Sequence, residues 1–331
     1  MDGYLNKYKI IQILFAVAVV LLIANLLVGR FNSEIESVQK VEFDKNFTPA
    51  KIDSIFLASL NIYNIKQKWI HKITNKKSKK KSHLLNYKIE VPNDLPNILL
   101  IREIYKNLEA TKLLIKSKEI KINGNSLLEI YNGKKLVLKS EFNYEKKISH
   151  LAGHLNLLII LQDKPGNEVK NELLNSIYKV TFLFLPTTQK IDLVNEIKQN
   201  NKDFALIVNQ NIEELKFKIK NSFNENRIRQ GVKAILESFP KTKFILFTNN
   251  FNPSYKIKLA FNLRKVKLLF QKNLINFTEK YKTGFRKIFK SYVMNTGVND
   301  TLNVVLSLEN FMKVKNDLKK YEKYGYKFVA Y

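Results

Sequence analysis

The chain has 331 residues, 45% apolar and 11% aromatic, which suffices for a folded core and excludes wholesale disorder. It has no cysteine, which excludes disulfides, thiolate metal sites and a cysteine nucleophile. The formal net charge of +28 draws polyanions, but lysines spread along every helix face read as a generic solvated surface, and no specific nucleic-acid partner is expected.

Residues 10–28 form a 19-residue apolar run whose polar members are Gln12 and Asn25. At about 1.5 Å per residue it reaches across a hydrocarbon core of about 30 Å. Gly29-Arg30-Phe31-Asn32 follows instead of a cleavage site of small residues, so the run is expected to stay as a single-pass anchor in the lipid bilayer. Lys7 and Lys9 precede it; Arg30 follows, then Glu34 and Glu36 before Lys40. This slight bias puts the N-terminus inside. The remaining chain then lies outside the cytoplasm, in the periplasm if the membrane is a bacterial inner membrane.

Residues 31–83 read as a polar stalk with one apolar patch, Ile52 to Ile62, that suits a short helix. Its basic cluster, Lys72, Lys76, Lys77 and Lys79 to Lys81, reads as a self-repelling linker, with contact to acidic lipid or glycan as the alternative. Residues 84–146 read as a small α/β module. It has an alternating strand from Leu85 to Val91, a helix after Pro96, and a hairpin of 126–131 and 135–142 turned by Asn132-Gly133.

From 150 to 331 strand and helix alternate. Apolar strands are predicted at 155–161, 180–185, 204–208, 243–247, 266–270 and 302–306, with a last one at 327–330. The first is apolar almost throughout, as a strand covered on both faces must be. Helices are expected between them, including one over 213–238 broken near 221–226, one from about 277 to 294, and one over 309–324 stopped by Gly325. Such alternation predicts a mainly parallel sheet: a distorted seven-stranded (β/α) barrel, with a doubly wound sheet as the second choice.

No G-x-G-x-x-G, no G-x-x-x-x-G-K-[ST] and no G-x-S-x-G occurs, which removes most nucleotide-dependent and simple esterase chemistry. His150 and His154 are spaced i, i+4 but precede the first strand of the repeat. There they read as ordinary edge histidines, since α/β sites collect at C-terminal strand ends. At that C-terminal end stand Gln162 and Asp163. An acid there is either a base or metal ligand or a turn aspartate, and residue type alone leaves both open.

Residues 155–331 resemble the divergent polysaccharide deacetylase family. Ile160-Leu161-Gln162-Asp163 stands where that family has I-D-D-x-G, and Val180-Thr181-Phe182-Leu183-Phe184-Leu185-Pro186 is similar to its V-T-L-A-x-x-P strand. Phe204 to Asn211, Phe244 to Asn250 and Tyr321 to Val329 follow its later elements. The resemblance implies a site in which an Asp pair and histidines hold a divalent metal such as zinc for N-acetyl hydrolysis. Here the first Asp is Gln162, the His position falls at Val208, and the acidic turn is Thr248-Asn249-Asn250. One carboxylate does not hold a catalytic cation against water. The expectation is therefore a deacetylase-like envelope protein without its metal, with Asp163 vestigial. Gln162, Asn209, Asn211, Thr248, Asn249 and Asn250 are then left to bind a polysaccharide or a protein partner. An active deacetylase using Asp163 with unrecognised ligands is the first alternative, and an unrelated basic scaffold for acidic polymers the second.

Overall fold

A computed structural model describes residues 9, 11–23, 43–73, 84–120, 124–161, 166–279 and 283–331. Residues 11–23 are helical, with large apolar side chains exposed. Among the described residues no helix is long and apolar enough to cross a membrane. The predicted span extends beyond them, because Ile10 and 24–28 lie outside the described residues.

The chain divides into two compact units. The first comprises the described parts of Met1–Ser59, Lys68–Val91 and Asn97–Tyr144; the second comprises Leu60–Gln67, Pro92–Pro96 and Glu145–Tyr331.

The first unit holds a five-stranded sheet in the order β1-β2-β5-β4-β3. Its strands are β1 (Ile70–Lys72), β2 (Leu85–Pro92), β3 (Leu114–Glu119), β4 (Ser126–Asn132) and β5 (Lys135–Glu145). Helices α1 (Pro49–Ile62) and α2 (Asn97–Leu108) accompany it. The hairpin turn at Asn132-Gly133 is present, and Gly133 has φ +61°, which glycine adopts without a Cβ clash. The stalk expected over 31–83 needs correction. Its described part, 43–73, contains α1, whose Ile52 and Phe56 are fully buried, and the Phe56 ring lies 5.3 Å from that of Tyr87. The Asn132 side chain accepts from the Asp44 N–H at 2.7 Å and donates to the Asp44 and Phe47 carbonyls, which fixes the chain entering α1.

The second unit is a parallel sheet, β10-β9-β8-β7-β6-β12-β11, with β13 also paired to β6. The strands are β6 (Gly153–Ile160), β7 (Val180–Phe184), β8 (Asp203–Val208), β9 (Phe244–Phe247), β10 (Lys267–Phe270), β11 (Ile275–Phe277), β12 (Thr301–Ser307) and β13 (Tyr326–Phe328). The helices are α3 (Asn167–Leu174), α4 (Ile191–Gln199), α5 (Glu225–Ser238), α6 (Tyr255–Asn262), α7 (Phe285–Met294), α8 (Leu308–Val314) and α9 (Leu318–Tyr324).

Alternation along each strand sends successive side chains to opposite faces. Leu157, Ile159, Phe182, Phe204, Leu206, Ile245 and Phe247 join a large cluster with the helices. Leu158, Leu183, Ala205, Ile207, Phe244, Leu246 and Val305 form a second cluster on the other face, joined by Leu269, Leu274 and Tyr331. Residues from both ends of the strand order meet in this inner cluster, so the sheet is curled. Burial on both faces is why the strands read as continuous apolar runs.

The expected barrel is not closed by hydrogen bonds, because no ladder joins β10 to β11 among the described residues. Four residues separate these strands, far fewer than a crossover between parallel neighbours requires. Instead β10 pairs with β9 and β11 pairs with β12, so one broken strand carries the chain across the gap. The result is a curled half-barrel.

Two helix expectations also change. Helix α5 begins at Glu225, because the Asn224 side chain accepts from Arg227 N–H at 2.8 Å and caps it there. Helix α7 begins at Phe285, and β11 occupies part of the stretch expected to be helical. Gly325 ends α9 at φ +106°.

Candidate functional site

A cavity of about 550 Å³ opens at the C-terminal ends of the parallel strands. Its floor is apolar, made by Ile160, Leu161, Phe184, Leu185 and Ile207. The rim is built by three exits from the sheet. After β8, Asn209 and Asn211 form a tight turn in which the Asn209 side chain accepts from Asn211 N–H at 2.9 Å. After β9, Thr248-Asn249-Asn250 turns back, and Phe251 N–H donates to the Thr248 carbonyl at 3.0 Å. Gln271 follows β10, Asn276 lies within β11, and Thr278 and Glu279 follow β11.

These exits brace one another. Gln271 Oε1 accepts from Asn249 N–H at 3.1 Å, tying the β9 turn to the break between β10 and β11. Asn276 Oδ1 accepts from Thr278 N–H at 3.1 Å. Beneath them the fully buried Asn310 of α8 donates from Nδ2 to the Phe277 and Glu279 carbonyls, at 2.8 and 2.7 Å. Ser307 Oγ accepts from Asn310 N–H at the N-cap of α8, so the element carrying Asn310 is itself fixed. The Thr248 hydroxyl is buried without a hydrogen-bond partner among the described residues.

The mouth therefore brings together five of the seven predicted site residues: Asn209, Asn211, Thr248, Asn249 and Asn250. Gln162 and Asp163 lie outside the described residues, although Leu161, just before them, lines the cavity. Sequence reasoning missed Gln271, Asn276, Thr278 and Glu279. The available signal was the short apolar alternation at 274–277 followed by Thr278.

The described lining has six side-chain amides, one carboxylate in Glu279, and no imidazole. An amide offers both a donor and an acceptor at no net charge, whereas a divalent cation demands several anionic or imidazole ligands. The described donor set does not fit the metal that the family resemblance implies. Among the described residues no three His, Asp or Glu gather into a metal site.

The two expected edge histidines are at the far end of the sheet. His154 lies near the start of β6, paired with Lys327 and Thr301, about 20 Å of strand from Ile160. His150 is not helical; its Nε2 lies 3.0 Å from the Lys323 carbonyl and its backbone N–H donates to Asp94 Oδ1 at 2.8 Å. Burial pushes the His150 pKa down, against carbonyl contacts from Lys323 and Tyr63 and the charge of Asp94. Burial acts to raise the Asp94 carboxyl, but hydrogen bonds from His150 N–H and Ser149 Oγ outweigh it and hold the pKa below its ordinary value. This is a structural clasp.

No protein-family model matches the chain. No curated protein matches it either. The chain is similar in structure to the catalytic domain of a peptidoglycan N-acetylglucosamine deacetylase from Eubacterium rectale, at TM-score 0.37 and 13% identity, over 56% of this chain and 90% of that one. It is also similar to a CE4 family pseudoenzyme from Bacillus anthracis, at TM-score 0.37 and 10% identity, over 62% and 82%. A family 4 carbohydrate esterase from Bacillus subtilis gives TM-score 0.38 and 11% identity, over 54% and 81%.

Proposed function

We propose that this chain holds carbohydrate in the mouth of its half-barrel without hydrolysing it, as a deacetylase-like binding protein tethered to a membrane by residues 10–28. The observation that carries this reading is the six amides set around an apolar floor in a cavity of about 550 Å³. Sugar hydroxyls donate and accept together, as amides do, and the C–H face of a pyranose suits an apolar floor. The single described carboxylate and the lack of imidazoles in the described lining favour binding over metal-assisted attack. The 19-residue apolar run supports the tether, and its flanking charges support a periplasmic domain.

Calorimetric titration of the full chain in detergent with N-acetylglucosamine oligomers tests this. Saturable binding that weakens in Asn249→Ala and Asn250→Ala is expected. Binding indifferent to both substitutions would place the glycan elsewhere.

A further inference from the structure

The first unit carries a feature that the mouth does not explain. Strand β3 is an edge of its sheet, paired with β4 alone among the described residues. Its register fixes which backbone groups are committed. Ile120 N–H donates to the Asn125 carbonyl at 2.8 Å, continuing the β3–β4 ladder. In an antiparallel pair, hydrogen-bonded and non-hydrogen-bonded positions alternate. Lys118, Lys116 and Leu114 therefore turn their N–H and C=O groups to β4, and Ile115, Ser117 and Glu119 turn theirs outward. The Tyr105 hydroxyl donates to the Ile115 carbonyl at 2.9 Å, which confirms the outward phase. The backbone groups of Ser117 and Glu119 remain on an exposed edge.

Beside this edge lies a groove of about 380 Å³ between α2 and β3, with Leu108, Leu113 and Ile115 in its lining. Arg102, Tyr105 and Lys106 on α2 also line it and, at spacings of three and four, share one helix face. Lys116 and Lys118 are on the opposite face of β3 from Ile115 and Ser117. A strand laid against this edge would meet cations on both its faces, against the anionic Glu109 and Glu119. Edge lysines also discourage pairing with another neutral or basic strand.

We infer that the β3 edge and the α2 groove form a docking site for an extended acidic peptide, added to the sheet as a sixth strand. Its backbone pairs with Ser117 and Glu119, its apolar side chains enter the groove, and its carboxylates, on the opposite face, meet Lys116 and Lys118.

The test uses the full chain and an octapeptide alternating glutamate with valine, beside a control alternating lysine with valine. Amide hydrogen exchange over 115–119 and fluorescence anisotropy give the readouts. The acidic peptide is expected to bind and to slow exchange in that segment, and the basic peptide to do neither. Ser117→Pro removes an outward N–H without touching the β3–β4 ladder, and is expected to weaken binding about fivefold to tenfold. Lys116→Glu combined with Lys118→Glu, both exposed on β3, is expected to abolish binding even if the proline variant folds poorly. Failure of the acidic peptide to bind, binding without protection of 115–119, or equal binding of the basic peptide would each overturn the inference.

Discussion

Gln271 accepts a hydrogen bond from the backbone of Asn249 at 3.1 Å, joining the turn after β9 to the break between β10 and β11. The bond holds one wall of the mouth to the point where the sheet fails to close. Replacing Gln271 with Ala removes both this brace and one of the lining amides. The expected result is carbohydrate binding weaker by about 1 kcal/mol, with little change in melting temperature because the site is at the surface. Titration of the variant beside the parent chain checks it.

Asn310 supports the same wall from below, and its two donated bonds satisfy the carbonyls at Phe277 and Glu279. Asn310→Leu would remove both donated bonds and force a larger apolar group against the carbonyls. Destabilisation of about 1–3 kcal/mol is expected from the buried Phe277 carbonyl, since an unsatisfied buried group costs about that much, while the carbonyl of the exposed Glu279 can turn to water. Thermal unfolding measures it.

Thr181 lies on the inner face of β7, fully buried, and its hydroxyl has no hydrogen-bond partner among the described residues. Thr181→Val keeps the shape and removes the polar atom. A gain of about 1 kcal/mol is expected, with melting raised by about 2–4 °C. A loss would mean that the hydroxyl has a partner, such as an ordered water.

Gly325 closes α9 at φ +106°, and a Cβ there would lie 2.1 Å from the His150 carbonyl oxygen. Gly325→Ala is expected to cost more than about 2 kcal/mol through clash and backbone strain together. Chemical denaturation gives the value.

The clasp beside it sets an acid sensitivity. The Asp94 pKa is lower in the folded chain than its ordinary 3.8, so its contribution is complete above 3.8 and is lost as pH falls through the folded value. The His150 pKa is likewise below its ordinary 6.5. As pH falls below 6.5 the unfolded chain takes up a proton that the folded one resists, so stability declines from there toward the folded value. Stability measured against pH should therefore fall in both windows. His150→Gln should flatten the upper decline, and Asp94→Asn the lower one.

Much of the second unit was legible because strands covered on both faces leave continuous apolar runs, as in Leu155 to Leu161. The mouth was legible where its residues directly follow such runs, at Asn209, Asn211 and Thr248 to Asn250. It was not legible after β11, a three-residue strand too short to impose a period. The broken β10–β11 strand depends on pairing with β9 and β12, which lie elsewhere in the sequence. In α1, Ile52, Phe56 and Leu60 repeat every four residues, the spacing of a buried helix face. Polar neighbours on either side made that segment read as a linker.

Under the proposed function the mouth binds a glycan and leaves it intact. An N-acetylglucosamine oligomer carrying ¹³C in its acetyl groups, incubated with the full chain and zinc, reports both parts in one NMR spectrum. Broadened acetyl signals with no free acetate are expected. Accumulating acetate, or signals unchanged by the protein, would contradict the account.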